Sequence, residues 1–123
     1  VDIVTIDVSF ISTALVFPVV KDLIKPGGII VSLIKPQFEA GKDQVGKNGV
    51  VRDPATHRQV LHASINHARE QELECTGITF SPITGPKGNI EYFIKLEENP
   101  IETIEVVDRI EAVVLDAHRL LGG

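Results

Sequence analysis

The sequence contains no methionine and only one cysteine, Cys75, among its 123 residues. A lone cysteine forms no internal disulfide, which excludes a small disulfide-stapled domain and points to a reducing, cytoplasmic setting. No apolar run approaches the roughly 18 residues that a membrane-spanning helix needs. The first residues lack the basic-then-apolar order of a cleavable signal, so none is expected. There is no internal repeat and no low-complexity segment. The absent methionine, together with a start at Val1-Asp2-Ile3-Val4 inside an apolar strand pattern, reads as a piece of a longer chain. Its length suits one domain or part of a larger one.

What is present is a globular composition. Hydrophobic residues make up 43% and charged residues 24%, with 12 Lys and Arg against 17 Asp and Glu, for a net charge of -5. That apolar content excludes disorder. The charge is uneven. Residues 35–58 carry Lys35, Lys42, Lys47, Arg52 and Arg58 against Glu39, Asp43 and Asp53, whereas residues 97–116 carry seven carboxylates against Arg109. The first segment can meet phosphate and the last helix should not, unless both are simply solvated faces.

The pattern alternates strands and helices. Residues 1–7 are a β-branched apolar run. Ser9 or Ser12 can cap a helix over about 12–25 that presents Leu15, Val19 and Leu23 beside Val16, Val20 and Ile24, with Pro18 in its first turns or at a kink. Lys25-Pro26-Gly27-Gly28 stops it. Residues 29–34 are nearly all apolar, as in a strand buried on both faces. A long loop over 35–52 carries Gly41, Gly46 and Gly49, and loops of that length are usually functional. Asp53-Pro54 is an N-cap with proline at the first helical position, opening a helix to about Glu72 with Val60, Leu61, Ile65 and Ala68 on one face. Strands are expected over 73–81 and 90–96, joined by a Gly- and Pro-rich turn. Asn99-Pro100-Ile101-Glu102 resembles a capping box before a last helix striped by Ile104, Val107, Ile110, Val114 and Leu121. The turn between the last two strands is too short for a parallel crossover. The expected class is therefore α/β: a mostly parallel sheet with one antiparallel strand, flanked by helices.

His57, His62 and His67 are spaced by five and form no i, i+4 metal pair. They are expected on the helix surface, with no metal site.

Several strings stand in a fixed order: Thr5-Ile6-Asp7-Val8-Ser9-Phe10-Ile11-Ser12, Lys35-Pro36-Gln37-Phe38-Glu39, Gly49-Val50-Val51-Arg52-Asp53, and Ser81-Pro82-Ile83-Thr84-Gly85-Pro86-Lys87-Gly88-Asn89-Ile90-Glu91. In this order and spacing they resemble the C-terminal half of the TlyA-type proteins, which were named haemolysins and are similar to FtsJ-type ribosomal RNA 2′-O-methyltransferases. The resemblance runs from residue 1 to about 97. It implies the second half of a Rossmann-like methyltransferase sheet, with residues 1–123 as the C-terminal part of a single FtsJ-like domain. The family's glycine-rich cofactor loop, the first lysine of its catalytic tetrad and its S4-like RNA-binding domain lie upstream of the matching segment and are absent from this sequence. Activity of this chain alone is therefore not expected.

The resemblance further implies S-adenosylmethionine as cofactor in the parent protein, ribosomal RNA or a ribosomal subunit as partner, a cytoplasmic location and no membrane. By motif match the Lys-Asp-Lys-Glu tetrad places its Asp on Asp7, its second Lys on Lys35 and its Glu on Glu91. Read without the family, Asp7 is equally a helix cap, Lys35 a loop cation and Glu91 a solvated strand residue. Asp7 and Lys35 stand at carboxyl ends of parallel strands, where open α/β sheets bind ligands. Lys35 has two open roles: general base, or a cation that orients the hydroxyl and stabilises developing oxyanion charge. Carboxylates nearby favour the charged lysine and so oppose the first. Phe38 is a candidate to stack on a base or ribose, or else a core plug. Arg52 is a candidate RNA-phosphate contact, or a loop cation.

Two rival readings stand beside the enzyme. A cytolysin would need a spanning helix or barrel strands, and neither pattern is visible. A non-catalytic RNA-binding or ribosome-assembly factor would lack the cofactor loop in its parent. With upstream strands absent, residues 1–7 form a sheet edge through which the chain is expected to self-associate.

Overall fold

Residues 3–6, 13–24, 27–39, 50–85 and 88–122 are described by the computed structural model. Strand β1 (Ile3–Ile6) leads through helix α1 (Thr13–Lys21) into β2 (Ile29–Ile34). A one-turn helix α2 (Pro36–Glu39) follows, then the long α3 (Pro54–Glu70), β3 (Glu74–Phe80), β4 (Tyr92–Glu97) and α4 (Val106–Ala117). A π-helical turn, His118–Gly122, continues α4.

The sheet order is β1-β2-β4-β3. β1 and β2 are parallel, from Ile3↔Ile29 to Ile6↔Ser32. β4 runs antiparallel to both its neighbours, from Ile29↔Glu97 to Ile34↔Tyr92 on one side and from Glu74↔Glu97 to Phe80↔Tyr92 on the other. β4 is thus the one reversed strand of the described sheet, as the short connection after β3 requires. In β3, Thr76 is an extra residue between the pairs Cys75↔Leu96 and Gly77↔Lys95. Cys75 and Ile78 are three apart and would otherwise point to opposite faces. The bulge brings both inward, opposite Leu96 and Ile94.

One core joins the sheet to α1, α3 and α4. Ile30, Ile34, Tyr92, Ile94 and Leu96 meet Phe17 and Val20 of α1, Val60, Leu61, Ile65 and Ala68 of α3, and Ile110, Val113, Val114 and Ala117 of α4. These strand residues alternate, so they occupy one face. The expectation that β2 is buried on both faces is corrected: Ile30, Ser32 and Ile34 are buried, while Ile29, Val31 and Leu33 are only half-buried. The same asymmetry divides α1. Phe17 and Val20 are buried, with Val16 and Ile24 packed alongside, but the stripe Leu15, Val19 and Leu23 is 60–70% exposed. Pro18 lies inside this nine-residue helix, where its missing N–H removes one i→i−4 bond.

Helix α3 starts as its sequence requires. The Asp53 carboxylate accepts the Ala55 N–H at 2.9 Å, and Pro54 occupies the first turn. It ends in a Schellman motif, in which the Glu72 N–H donates to Arg69 O at 3.0 Å and the Leu73 N–H to Ala68 O at 3.0 Å. Glu72 takes the left-handed conformation, φ 61°, that glycine usually supplies, and Leu73 is buried as the motif's apolar contact. The capping box expected at 99–102 does not form. Asn99 is left-handed at φ 44° and Ile101 is fully exposed, so the chain bends there and α4 begins only at Val106, with no side-chain capping bond from Glu105. Val107, expected on the buried stripe, is 61% exposed, and Val113 and Ala117 pack inward instead.

Candidate active site at the carboxyl edge of the sheet

The topology brings four strand ends to one edge. β1, β2 and β3 share a direction and end there, and the reversed β4 begins there. Ile34↔Tyr92 is the last pair between β2 and β4. Lys35 and Glu91 are the next residues outward on those two strands, facing one another across the end of the ladder. Asp7 follows β1 in sequence and lies outside the described residues.

Glu91 is 7% exposed, which excludes its reading as a solvated strand residue. Its carboxylate has two described neighbours. The Gln37 side-chain amide donates to Glu91 Oε2 at 2.8 Å. Gln37 sits on α2, which turns directly out of β2 because Pro36 carries the backbone angle of a first helical position and needs no N–H partner there. The loop expected over 35–52 therefore opens with a helical turn. Gly85 lies against the same oxygen, Oε2. A Cβ there would lie 2.7 Å from Glu91 Cδ and 3.1 Å from Oε1, so glycine lets the carboxylate keep this position and a larger residue would displace it.

The turn carrying Gly85 is locally closed. The Gly85 N–H donates to Asn89 O at 2.7 Å and the Gly88 N–H to Gly85 O at 3.1 Å, with Gly88 left-handed at φ 85°. Buried Asn89 ties this turn to the preceding segment by accepting the Val51 N–H at 3.0 Å. The Ser81 N–H donates to Glu91 O at 2.8 Å and closes the base of the hairpin. Gln37 Oε1 is buried without a hydrogen-bond partner among the described residues. Such an orphaned acceptor is costly in a folded protein unless a ligand or water answers it.

Lys35 is half-buried at the rim, and Arg52 is exposed just before the Asp53 cap. Phe38 belongs to α2, but its side chain lies outside the described residues. The β2–β4 register places Lys35 and Glu91 just beyond the same last pair. Gln37, to which the sequence pattern assigns no role, holds Glu91, and Gly85, expected to serve a tight turn, also makes room for its carboxylate.

A second polar cluster adjoins the first, and it corrects the placement of His57 on the helix surface. His57 is fully buried. Its Nε2 lies 2.8 Å from Val51 O, while its Nδ1 lies 2.8 Å from the Tyr92 hydroxyl and 2.9 Å from His118 Nε2. Burial pulls the His57 imidazole below its ordinary range, more strongly than its bond to Val51 raises it, and His118 lowers it further. Burial likewise lowers His118, helped by Arg58. Burial raises the Tyr92 phenol. All three groups are neutral near pH 7. The missed signal was the position of His57, three residues before Val60 and four before Leu61 on the core face. Among the described residues there is no cluster of metal-ligating side chains and no helix long and apolar enough to cross a membrane.

A mixed α/β sheet flanked by helices, with a buried acid and a half-buried lysine at its carboxyl edge, is a Rossmann-like frame with its candidate site where such sheets bind ligands. The profile of the FtsJ-like methyltransferase family matches residues 1–98, and the chain belongs to that family. It is 44% identical to YqxC of Bacillus subtilis, provisionally named an rRNA methyltransferase, over 95% of this chain and 43% of that protein. It is 45% identical to the 16S/23S rRNA (cytidine-2′-O)-methyltransferase TlyA of Mycobacterium tuberculosis, over 78% of this chain and 36% of that one. A solved structure from Streptococcus thermophilus, provisionally named a hemolysin, superposes with a TM-score of 0.89 at 40% identity, covering 97% of this chain and 43% of its own. The chain spans less than half the length of these relatives.

Methyltransferases of this kind use S-adenosylmethionine. The described residues do not complete a site for it. Gly27 and Gly28 lead from a helix into a strand, the reverse of the strand-to-helix turn that cradles such a cofactor.

Proposed function

We propose that this chain is the C-terminal part of the catalytic domain of a ribosomal RNA 2′-O-ribose methyltransferase, whose cofactor-loop half and S4-like RNA-binding domain belong to the parent protein. The observation that carries this reading is the Glu91 carboxylate, buried, held by Gln37 and seated against Gly85, directly across the strand end from Lys35. A ribose hydroxyl is a weak nucleophile that must be aligned with the methyl group and relieved of its proton. A cation and a fixed carboxylate at one sheet edge can orient such a hydroxyl and receive that proton, and positioning supplies much of the barrier reduction. S-adenosylmethionine supplies the methyl group when bound by the whole protein. Lys35, Asp7 and Glu91 face the hydroxyl, Gln37 holds Glu91, Arg52 meets RNA phosphate, and Phe38 stacks on the substrate. An enzyme acting on ribosomal RNA works in the cytoplasm and has no call on a membrane. The chain by itself presents β1 as an outer strand of the described sheet and self-associates through it, which sedimentation of the isolated chain tests.

The test of the enzyme reading uses the full-length protein. Lys35→Ala lowers transfer of radiolabelled methyl groups to ribosomal RNA by about 10² to 10⁴ while cofactor affinity stays within about twofold. Lys35→Arg keeps the charge but cannot give up its proton. Substantial activity in the Arg variant rejects the base role and leaves orientation. Near-normal activity in the Ala variant rejects both roles.

A further inference from the structure

A cleft of about 230 Å³ opens beside the 85–91 turn, lined by Val50, Val51, Arg52, Gly88, Ile90, His118 and Leu121. Two of its lining residues are close to Glu91 along the chain. Ile90 and Gly88 stand one and three residues before Glu91, within roughly 4 and 11 Å along the chain at 3.8 Å per residue. His118 and Leu121 come from the turn that ends the chain, past the residues matched by the family profile.

The hydrogen bonds beneath the cleft fix what His118 offers. A carbonyl only accepts, so His57 Nε2 carries the proton and donates to Val51 O. His57 Nδ1 of this neutral ring is therefore an acceptor. It receives the Tyr92 hydroxyl and the His118 Nε2–H, at 2.8 and 2.9 Å. His118, neutral and protonated on Nε2, keeps Nδ1 as an acceptor with a lone pair. Among the described residues the cleft combines an apolar wall (Val50, Ile90 and Leu121), one imidazole acceptor and one exposed guanidinium. That is the complement of a heterocycle bearing an N–H or amine donor and joined to a phosphate. Space, apolar contact and a single polar anchor suit a nucleobase, and the guanidinium suits its backbone.

We propose that this cleft holds a nucleotide of the RNA adjacent to the one whose ribose is methylated, with its base between Ile90 and Leu121, its donor on His118 Nδ1 and its phosphate on Arg52. The proposal rests on the reading of the chain as an RNA methyltransferase. His57 and Tyr92 are positioning residues here, since they hold the His118 ring in one tautomer without touching the RNA.

The test uses the full-length protein and a fluorescent ribosomal RNA fragment that the wild-type protein methylates. RNA affinity is measured by anisotropy, cofactor affinity by calorimetry and folding by thermal melting. His118→Phe keeps the ring and removes the acceptor, and it weakens RNA binding about 5- to 30-fold, the size of one lost base contact. His118→Asn, which retains an acceptor, restores affinity to within about threefold of wild type on the same scale. Leu121→Trp fills the cleft without removing a hydrogen bond and weakens RNA binding to a similar extent. Arg52→Ala reduces the slope of log affinity against log salt by about 1. In all four variants cofactor affinity stays within about twofold. RNA affinity unchanged in both His118→Phe and Leu121→Trp overturns the proposal, as does loss of cofactor affinity in place of RNA affinity. If Lys35→Ala and Glu91→Gln leave methylation intact, the enzyme reading fails. If they abolish methylation while the cleft variants bind RNA normally, only the cleft assignment fails.

Discussion

Glu91 and Tyr92 are consecutive residues, both buried and both polar, yet they belong to opposite kinds of site. The Glu91 carboxylate receives a side-chain hydrogen bond from Gln37, whose own Oε1 is buried and unanswered among the described residues. The Tyr92 hydroxyl enters a neutral chain in which His57 meets Val51, Tyr92 and His118 at 2.8–2.9 Å. An unanswered acceptor beside a buried carboxylate is a cost that a bound substrate can offset. A neutral chain that bonds Val51, Tyr92 and His57 to one another is part of the scaffold, and it leaves His118 Nδ1 at its outer end for a ligand. The difference teaches that burial alone does not mark a catalytic group; what matters is whether the polar atoms are already satisfied.

The comparison breaks most visibly at His57. His57→Leu removes the common partner of Val51 O, the Tyr92 hydroxyl and His118 Nε2, leaving buried polar groups unpaired. The expected loss is about 3 kcal/mol of stability, read as a drop in denaturation midpoint with unchanged slope. A loss below about 0.5 kcal/mol, the size of an ordinary surface substitution, would show that the chain is not a scaffold.

Gln37→Leu and Gly85→Ala act at the other cluster and cost about 1–3 kcal/mol of stability, because a buried carboxylate loses its donor or is displaced. The first frees the Glu91 carboxylate, and the second pushes it aside with a Cβ 2.7 Å from Cδ. Each is expected to lower the methylation rate of the full-length protein about tenfold, equivalent to about 1.4 kcal/mol. RNA affinity should hold, and both variants are assayed well below their melting temperatures. A full methylation rate in both folded variants would mean that this cluster does not position Glu91.

Acid is the mildest probe. The imidazoles of His57 and His118 are depressed in the fold, chiefly by burial. Below the ordinary histidine value of about 6.5, the unfolded chain binds protons that the folded one refuses. Stability is then complete above that value and declines as pH falls through the interval beneath it. Urea midpoints between pH 7.5 and 5.5 should fall, and the decline should be reduced in His57→Leu. A flat profile in the parent would contradict the buried neutral pair.

Much of the frame was legible in the sequence because it is written in local chemistry. Residues 29–34 are nearly all apolar and mostly β-branched, and they form β2 over those residues. Asp53-Pro54 caps α3 as expected, and the short link after β3 forces the reversed strand. That Lys35 and Glu91 lie at the same end of the sheet was legible only through motif order, since the two are far apart in sequence and the β2–β4 register places them there. Gln37 was hidden because α2 is one turn long, too short to show a period. His57 was misread because regular spacing of three histidines drew the eye from the buried stripe it shares with Val60 and Leu61. The exposed Leu15, Val19 and Leu23 show the converse: an apolar stripe at helical spacing fixes a helix, but not which stripe the core receives.

The central claim is that the carboxyl edge of this sheet acts on a ribose hydroxyl through Glu91. The direct measurement is methyl transfer by the full-length protein to ribosomal RNA, with the modified nucleoside identified after digestion, for wild type and Glu91→Gln. Glutamine preserves the shape and can still accept from Gln37, so only the charge is removed. The account predicts 2′-O-methylated nucleoside from wild type and a rate lowered about 10² to 10⁴ in the variant, with unchanged melting and cofactor affinity. Wild-type methylation on a base, or full ribose methylation by Glu91→Gln, would contradict it.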